Sequence, residues 1–268
     1  MAESVSSEEM LQSAIRGFQV DSLQVTVHRS RRDMGRHVAA LAAEAIADAI
    51  ARQGRAVVFF ASAPSQQETL EELTARADVD WPRITGLHID EYVGARAEDA
   101  HSFRRFLLDR LVTRVPLGAF HGIQGEAPDP EAECLRYAGL LAATHPDLAL
   151  LGIGENGHLA FNDPPVADFD DPRAVKVVEL DDVCRHQQVH DGMFPSLGLV
   201  PLLAITVTLP PILRTPRLLL SVPGATKAEA VRRTLRDPIS TDCPSTALRR
   251  RPGAHLILDE DAAARIDA

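Results

Sequence analysis

The residues best able to do chemistry lie in one stretch, Leu151-Gly152-Ile153-Gly154-Glu155-Asn156-Gly157-His158-Leu159-Ala160-Phe161-Asn162-Asp163-Pro164-Pro165, directly after the apolar run Leu148-Ala149-Leu150. A short apolar strand that empties into glycines, followed by a His and an Asp, is how open α/β sheets present reactive groups at the carboxyl ends of their strands. A neutral imidazole at His158 can act as base or acid near pH 7. Asp163 is the nearest carboxylate that could hold one ring nitrogen and fix the tautomer. Gly152 and Gly154 let the backbone turn sharply after the strand, and Gly157 lets another group approach beside His158. The opposing reading is a hydrogen-bonded structural histidine on an ordinary turn. The density of Gly, His, Asn and Asp in one loop favours chemistry.

Four other stretches carry groups of interest. Ala61-Ser62-Ala63-Pro64-Ser65-Gln66-Gln67 joins an apolar strand to a helix, where free backbone N–H groups suit an anion, although an ordinary connection fits equally well. In Pro223-Gly224-Ala225-Thr226-Lys227 a glycine turn places a lysine in the first helical turn. A cation is unfavourable there for the helix, which points to an anionic ligand. Asp90-Glu91-Tyr92 ends a strand, and on residues alone a solvated acidic pair is favoured over a general base. Arg185, His186, Gln187, Gln188 and His190 fall between Cys184 and Phe194 and read as a polar helix face.

Positioning these loops takes a regular alternation of strands and helices. Leu23 to His28 alternates like an edge strand, and Met34 to Arg52 is an Ala-rich helix with Val38, Leu41, Ala42, Ala45 and Ile46 at helical spacing. Ala56 to Phe60 reads as a central buried strand and Glu68 to Ala77 as a helix. Ile84 to Ile89 is the next strand, with helices expected over Ser102 to Arg114 and Pro128 to Thr144. Further strands are expected at 174–180, 202–207, 217–222 and 254–259, with a short helix opening at Pro210-Pro211. Uninterrupted alternation predicts a three-layer, doubly wound, Rossmann-like α/β fold with a mostly parallel sheet and helices on both faces. Residues 1–19 are expected to be a mobile arm or short helix, and residues 20–268 one domain.

Composition excludes several classes. The chain has 268 residues, 45% hydrophobic and 25% charged, which is ordinary for a globular protein and argues against long disorder. A net charge of −10 repels nucleic acid and anionic lipid, so a phosphorylated ligand needs a local positive site. Cys134, Cys184 and Cys243 are too scattered for a disulfide framework or a zinc cluster. No apolar signal core or membrane-length run occurs, so a cytoplasmic location is expected.

Gly-Ile-Gly-Glu-Asn-Gly-His-Leu-Ala-Phe-Asn-Asp-Pro, together with Ile89-Asp90-Glu91-Tyr92-Val93-Gly94, resembles the glucosamine-6-phosphate deaminase (isomerase) family, which shares a superfamily with the 6-phosphogluconolactonases. The similarity runs from roughly Val20 to the C-terminus. It implies conversion of a 2-amino-2-deoxyhexose 6-phosphate to a ketose 6-phosphate and ammonia, without metal or organic cofactor. By that resemblance Asp90 moves the proton between C1 and C2, His158 opens the sugar ring and Asp163 orients His158. Asn156 positions a hydroxyl or amine, while Ser62, Ser65, Gly157, Arg185 and Lys227 belong to the substrate and phosphate site. Asn156 stands where the family commonly has Asp, Asp163 where it commonly has Glu, and Ala63-Pro64 where paired glycines are expected. A lactonase-like sugar-phosphate hydrolase and a non-catalytic sugar-phosphate-binding regulator are the alternatives. Many family members are oligomers, so a homo-oligomer is a further expectation, although no segment identifies an interface.

Overall fold

The computed structural model describes residues 6–267; the expected arm's first five residues and Ala268 lie outside the described residues. Helix α1 (Ser7–Gln12) is followed by strands β1 (Arg16–Val20) and β2 (Leu23–His28), then by helix α2 (Arg31–Gln53). Strand β3 (Ala56–Phe60) leads to α3 (Gln67–Thr74), and β4 (Ile84–His88) is separated by one residue from β5 (Asp90–Tyr92). Helix α4 (Phe103–Leu107) runs into a π-helical turn at Leu108–Val112, before β6 (Ala119–His121), α5 (Pro130–Thr144) and β7 (Leu148–Leu151). The second half comprises β8 (Val175–Glu179), α6 (Asp182–His190), β9 (Leu203–Val207), α7 (Leu209–Arg214), β10 (Arg217–Val222), α8 (Ala228–Arg236) and β11 (Ala254–Asp259).

Eight strands form one sheet in the order β1-β2-β11-β10-β7-β3-β4-β6, parallel throughout except for the antiparallel β1–β2 pair. Strands β3 and β7 in its middle are apolar at every position because both faces are covered. In β3, Val57 and Phe59 face the helices α5, α7 and α8, while Val58 and Phe60 face α2, α3 and α4. Fully burying Phe59 and Phe60 contributes about 1.5–3 kcal/mol each before cavity terms. This is the three-layer, mostly parallel α/β architecture expected from the alternation.

Two expectations change. Arg16 to Gln19, assigned to the arm, form strand β1 with Val20, held in register from Arg16 opposite Val27 to Val20 opposite Leu23. It takes the sheet edge, and β2 becomes an interior strand between β1 and β11. Strands β5, β9 and β8 leave the main sheet and form a small antiparallel sheet of their own. Beneath it lies a separate apolar cluster of Tyr92, Phe103, Phe161, Cys184, Phe194 and neighbours. The departure begins at Ile89, where the chain turns from β4 into β5 and carries Asp90 with it. Among the described residues, no helix is long and apolar enough to cross a membrane.

Candidate active site

The carboxyl ends of β3, β4, β7 and β10 open on one pocket. Its walls include Ser62, Ser65, Asp90, Gly154, His158 and Lys227, together with Gln187 and Gln188 from α6 and Asp191 at its C-terminal cap. The space, counted out to solvent, is about 540 Å³, which is within the range that accepts a small metabolite. Three loops distant in sequence therefore deliver an acid, an imidazole and an ammonium to the same place.

His158 Nδ1 stands 2.7 Å from Asp163 Oδ1, at an angle bent from an ideal hydrogen bond. Asp163 is fully buried. Burial alone would raise its pKa. The attraction to His158 and hydrogen bonds from His158, Asn156 and Cys184 outweigh that and hold it below the usual carboxylate range. The ring is fitted against Gly154: a Cβ there would lie 2.2–2.4 Å from its atoms. Gly154 thus makes room for the imidazole, and its φ is not in the left-handed region. Gly157, by contrast, has φ +88°, and a Cβ on it would come within 2.4 Å of Cys243 Sγ. Its carbonyl accepts from Ser245 N–H at 2.9 Å. The group brought close beside His158 is thus the Cys243–Ser245 loop, and Gly157 does not line the pocket, contrary to the expectation of substrate contact.

Asn156 is also not a pocket residue. Its amide nitrogen donates to Asp163 Oδ1 at 2.9 Å and Asp181 Oδ2 at 3.0 Å, and its oxygen accepts from His158 N–H at 3.0 Å. Placed between two carboxylates, position 156 suits a donor; an ionised Asp would face like charges on both sides. These bonds set Asn156 behind His158 and off the pocket wall, away from where it would position a substrate hydroxyl or amine.

Asp90 and Glu91 are both buried, so the solvated-pair reading does not hold. They point opposite ways, as neighbours on a strand must. Asp90 lines the pocket, and burial, then the nearby Glu91 and Asp163, push its pKa well above the ordinary carboxylate range. Glu91 accepts from Tyr92 N–H, Ser102 Oγ–H, Phe103 N–H and Arg104 N–H at 2.7–3.1 Å, anchoring the start of α4. Burial raises its pKa despite these bonds.

Lys227 ends a 3-10 turn before α8 and is the one Lys or Arg among the described pocket-lining residues. Burial lowers its pKa, opposed by the field of Asp191 and Glu155. Asp259 accepts the Gly224 N–H with both oxygens, at 2.9 and 3.0 Å, and so fixes the turn that carries it. Ser62 Oγ is buried without a hydrogen-bond partner, and Ser65 Oγ accepts from Gln66 at 3.2 Å. Gln66 also donates to the carbonyls of Leu151 and Ser221, which locks this loop to β7 and β10.

Arg185 does not reach the pocket. Its guanidinium donates to the Leu197 and Val200 carbonyls and pairs with Asp182 at 3.3 Å. His190 turns away, with Nδ1 3.5 Å from Glu155. The face of α6 that does line the site carries Gln187 and Gln188, continued by Asp191 at its C-terminal cap, at relative positions zero, one and four on a helix. Looking in this segment for the Arg of the resembled family missed them, whereas helical spacing could have grouped them. Phe103 and Phe161 complete the apolar wall.

His158, Asp163 and Cys184 also bring one ligand atom each within 4.8 Å of the others. The donor set suits a metal poorly. Asp163 is committed to His158, Asn156 and Cys184, and burial raises the Cys184 thiol well above its usual range, which disfavours the thiolate a metal needs.

A parallel α/β sheet with a carboxylate, a braced imidazole and a buried lysine at its carboxyl edge defines an acid–base site suited to an anionic metabolite. Residues 29–188 match the model of the glucosamine-6-phosphate isomerases/6-phosphogluconolactonase family, and the chain belongs to that family. It is 40% identical over 187 residues to a glucosamine-6-phosphate deaminase of an Exiguobacterium strain, covering 70% of this chain and 72% of the relative. A Bacillus cereus glucosamine-6-phosphate deaminase is 39% identical over 69% of this chain and 68% of its own length. Among solved structures, a monomeric glucosamine-6-phosphate deaminase superposes with TM-score 0.82 at 30% identity, covering 90% of this chain and 99% of that one. A 6-phosphogluconolactonase from Trypanosoma brucei shares the fold, with TM-score 0.71 at 18% identity, over 94% of this chain and 100% of the other.

Proposed function

We propose that this protein is a glucosamine-6-phosphate deaminase-type enzyme, converting a 2-amino-2-deoxyhexose 6-phosphate and water to a ketose 6-phosphate and ammonia. The observation that carries the reading is the meeting of Asp90, the His158–Asp163 pair and Lys227 in one pocket. Lys227 and the Ser62–Ser65 loop receive the phosphate, whose dianion is matched by the pocket's lysine and by polar groups at a helix start. His158, steadied by Asp163, carries a proton from the C1 hydroxyl to the ring oxygen, so that the ring opens to the aldehyde. Asp90 then takes the C2 proton, made acidic by the adjacent carbonyl, and returns it to C1. The C2 imine that results adds water and expels ammonia. A carboxyl with raised pKa suits this step because it must hold the proton between the two transfers.

The test is ammonia release from a panel of amino-sugar 6-phosphates, run beside hydrolysis of 6-phosphogluconolactone. Release of ammonia with the lactone untouched is expected. Lactone hydrolysis without deamination would move the protein to the other branch of its family. Tight binding with no turnover of either compound would make it a binding protein.

A further inference from the structure

Gln188 lies on the pocket wall but has no place in the chemistry above. It is 4% exposed, and its side-chain oxygen accepts from Tyr92 Oη–H at 2.7 Å. Tyr92 is fully buried among aromatic rings, with Phe103, Phe161 and Phe194 centroids 4.9–5.4 Å away. Those rings offer its hydroxyl no acceptor, and Gln188 Oε1 is its one hydrogen-bond partner among the described residues. A buried hydroxyl that lost this acceptor would carry a desolvation penalty, so the amide is not free to flip. With Oε1 turned to Tyr92, the NH2 group is turned away from it, on a side chain that borders the pocket.

Resting on the deaminase reading, we infer that Gln188 is a substrate-contacting residue: its NH2 group donates to a hydroxyl oxygen of the sugar chain. Tyr92 is the positioning residue that holds the amide in that orientation. The donor is neutral, so it discriminates for an oxygen on the carbon chain without competing with Lys227 for the phosphate. Tyr92 lies two residues beyond Asp90 on β5, and the same strand therefore sets both the proton carrier and the aim of the sugar contact.

The test uses a ligand that cannot react, the reduced open-chain alditol 2-amino-2-deoxyglucitol 6-phosphate, with inorganic phosphate as control, by calorimetry on the full chain. The double variant Y92F/Q188M removes both partners together, so no buried group is left unpaired and the fold is retained. It should bind the alditol about tenfold or more weaker than wild type, with inorganic phosphate inside about twofold. Y92F alone keeps the donor but frees its orientation, and should lose about threefold on the alditol alone. A double variant that loses less than about tenfold on the alditol, or loses equally on inorganic phosphate, overturns the inference. Wild type that binds the alditol yet releases no ammonia from glucosamine 6-phosphate refutes the deaminase reading while leaving the Gln188 comparison intact.

Discussion

Two clusters of buried or half-buried titratable side chains are built on the same eight-stranded sheet. One is the pocket of Asp90, His158 and Lys227. The other is a group of three histidines, His28 on β2, His37 on α2 and His255 on β11. His28 Nε2 meets His37 Nδ1 at 2.9 Å, Thr26 Oγ1 meets His255 Nε2 at 2.7 Å, and the His37 ring stands edge-on to both other imidazoles. Burial, followed by the field of the two neighbouring imidazoles, lowers the pKa of His37 to about 3; burial and Arg217 lower His255 to about 4. These imidazoles stay neutral, and none lines the active pocket. In the pocket, by contrast, His158 faces a carboxylate, Asp90 is held near other acids, and Lys227 feels Asp191 and Glu155. Burial of ionisable groups is therefore common to both clusters. What separates a site from a core is complementary charge together with an opening to a ligand.

The largest effect expected from breaking this contrast comes from Asp90→Asn. Removing the proton carrier should lower kcat by about 10³-fold or more, near the upper range for general acid–base catalysis. Stability should be unchanged or slightly raised, because an ionisable carboxyl is taken out of a buried position. Ammonia release, solvent-proton exchange at C2 and a thermal melt measure the two halves; retained exchange would remove Asp90 from the reaction.

Gly154→Ala tests the seat of the imidazole. The new methyl meets the His158 ring at 2.2–2.4 Å, so the ring must shift. A displacement near 1 Å predicts about a 10²-fold loss in kcat, with little change in the binding of inorganic phosphate. Full activity in this variant would show that His158 need not sit where it does.

Asp163→Asn gives a smaller, signed effect on pH dependence. Asp163 is one of the charges that raise Asp90, so neutralising it should move the acid limb of the kcat/KM profile to lower pH, on top of a drop in rate. An acid limb that stays in place, or moves up, would show that the limb does not report Asp90.

How much of this could be read from the sequence follows the same division. Strands buried on both faces announce themselves by composition, and β3 and β7 lie where their apolar runs placed them. His158 and Asp163 were legible because five residues of loop suffice to bring them together, and Lys227 because a cation at a helix start is anomalous. The small sheet was not legible: β8 and β9 alternate like any strand, and nothing local says which sheet a strand will join. Glycines were read as turn formers, yet Gly154 answers a packing demand from a ring four residues on. Arg185 was chosen because the resembled family has a phosphate-contacting Arg in this segment, whereas helix geometry turned Gln187 and Gln188 to the pocket. The strand at Arg16–Val20 was missed because its pattern is weak and its stability comes from pairing with β2.

The histidine cluster supplies the smallest prediction and the reverse sign of the first. In the unfolded chain each imidazole titrates near its ordinary pKa of about 6.5. In the folded protein His37 and His255 do so only at about 3 and about 4. Below pH 6.5 the unfolded state therefore binds protons that the folded state refuses, so stability is fully present above that value and declines as pH falls towards the folded pKa values. His37→Gln keeps a polar partner for His28 and removes one such proton. The stability difference between pH 7.5 and pH 5.5, from urea denaturation, should shrink by about 1 kcal/mol. Turnover of the amino-sugar phosphate at pH 7.5 should remain as in wild type. An unchanged pH difference would mean that His37 already carries its proton in the native core, and the two clusters would then differ only in access to solvent.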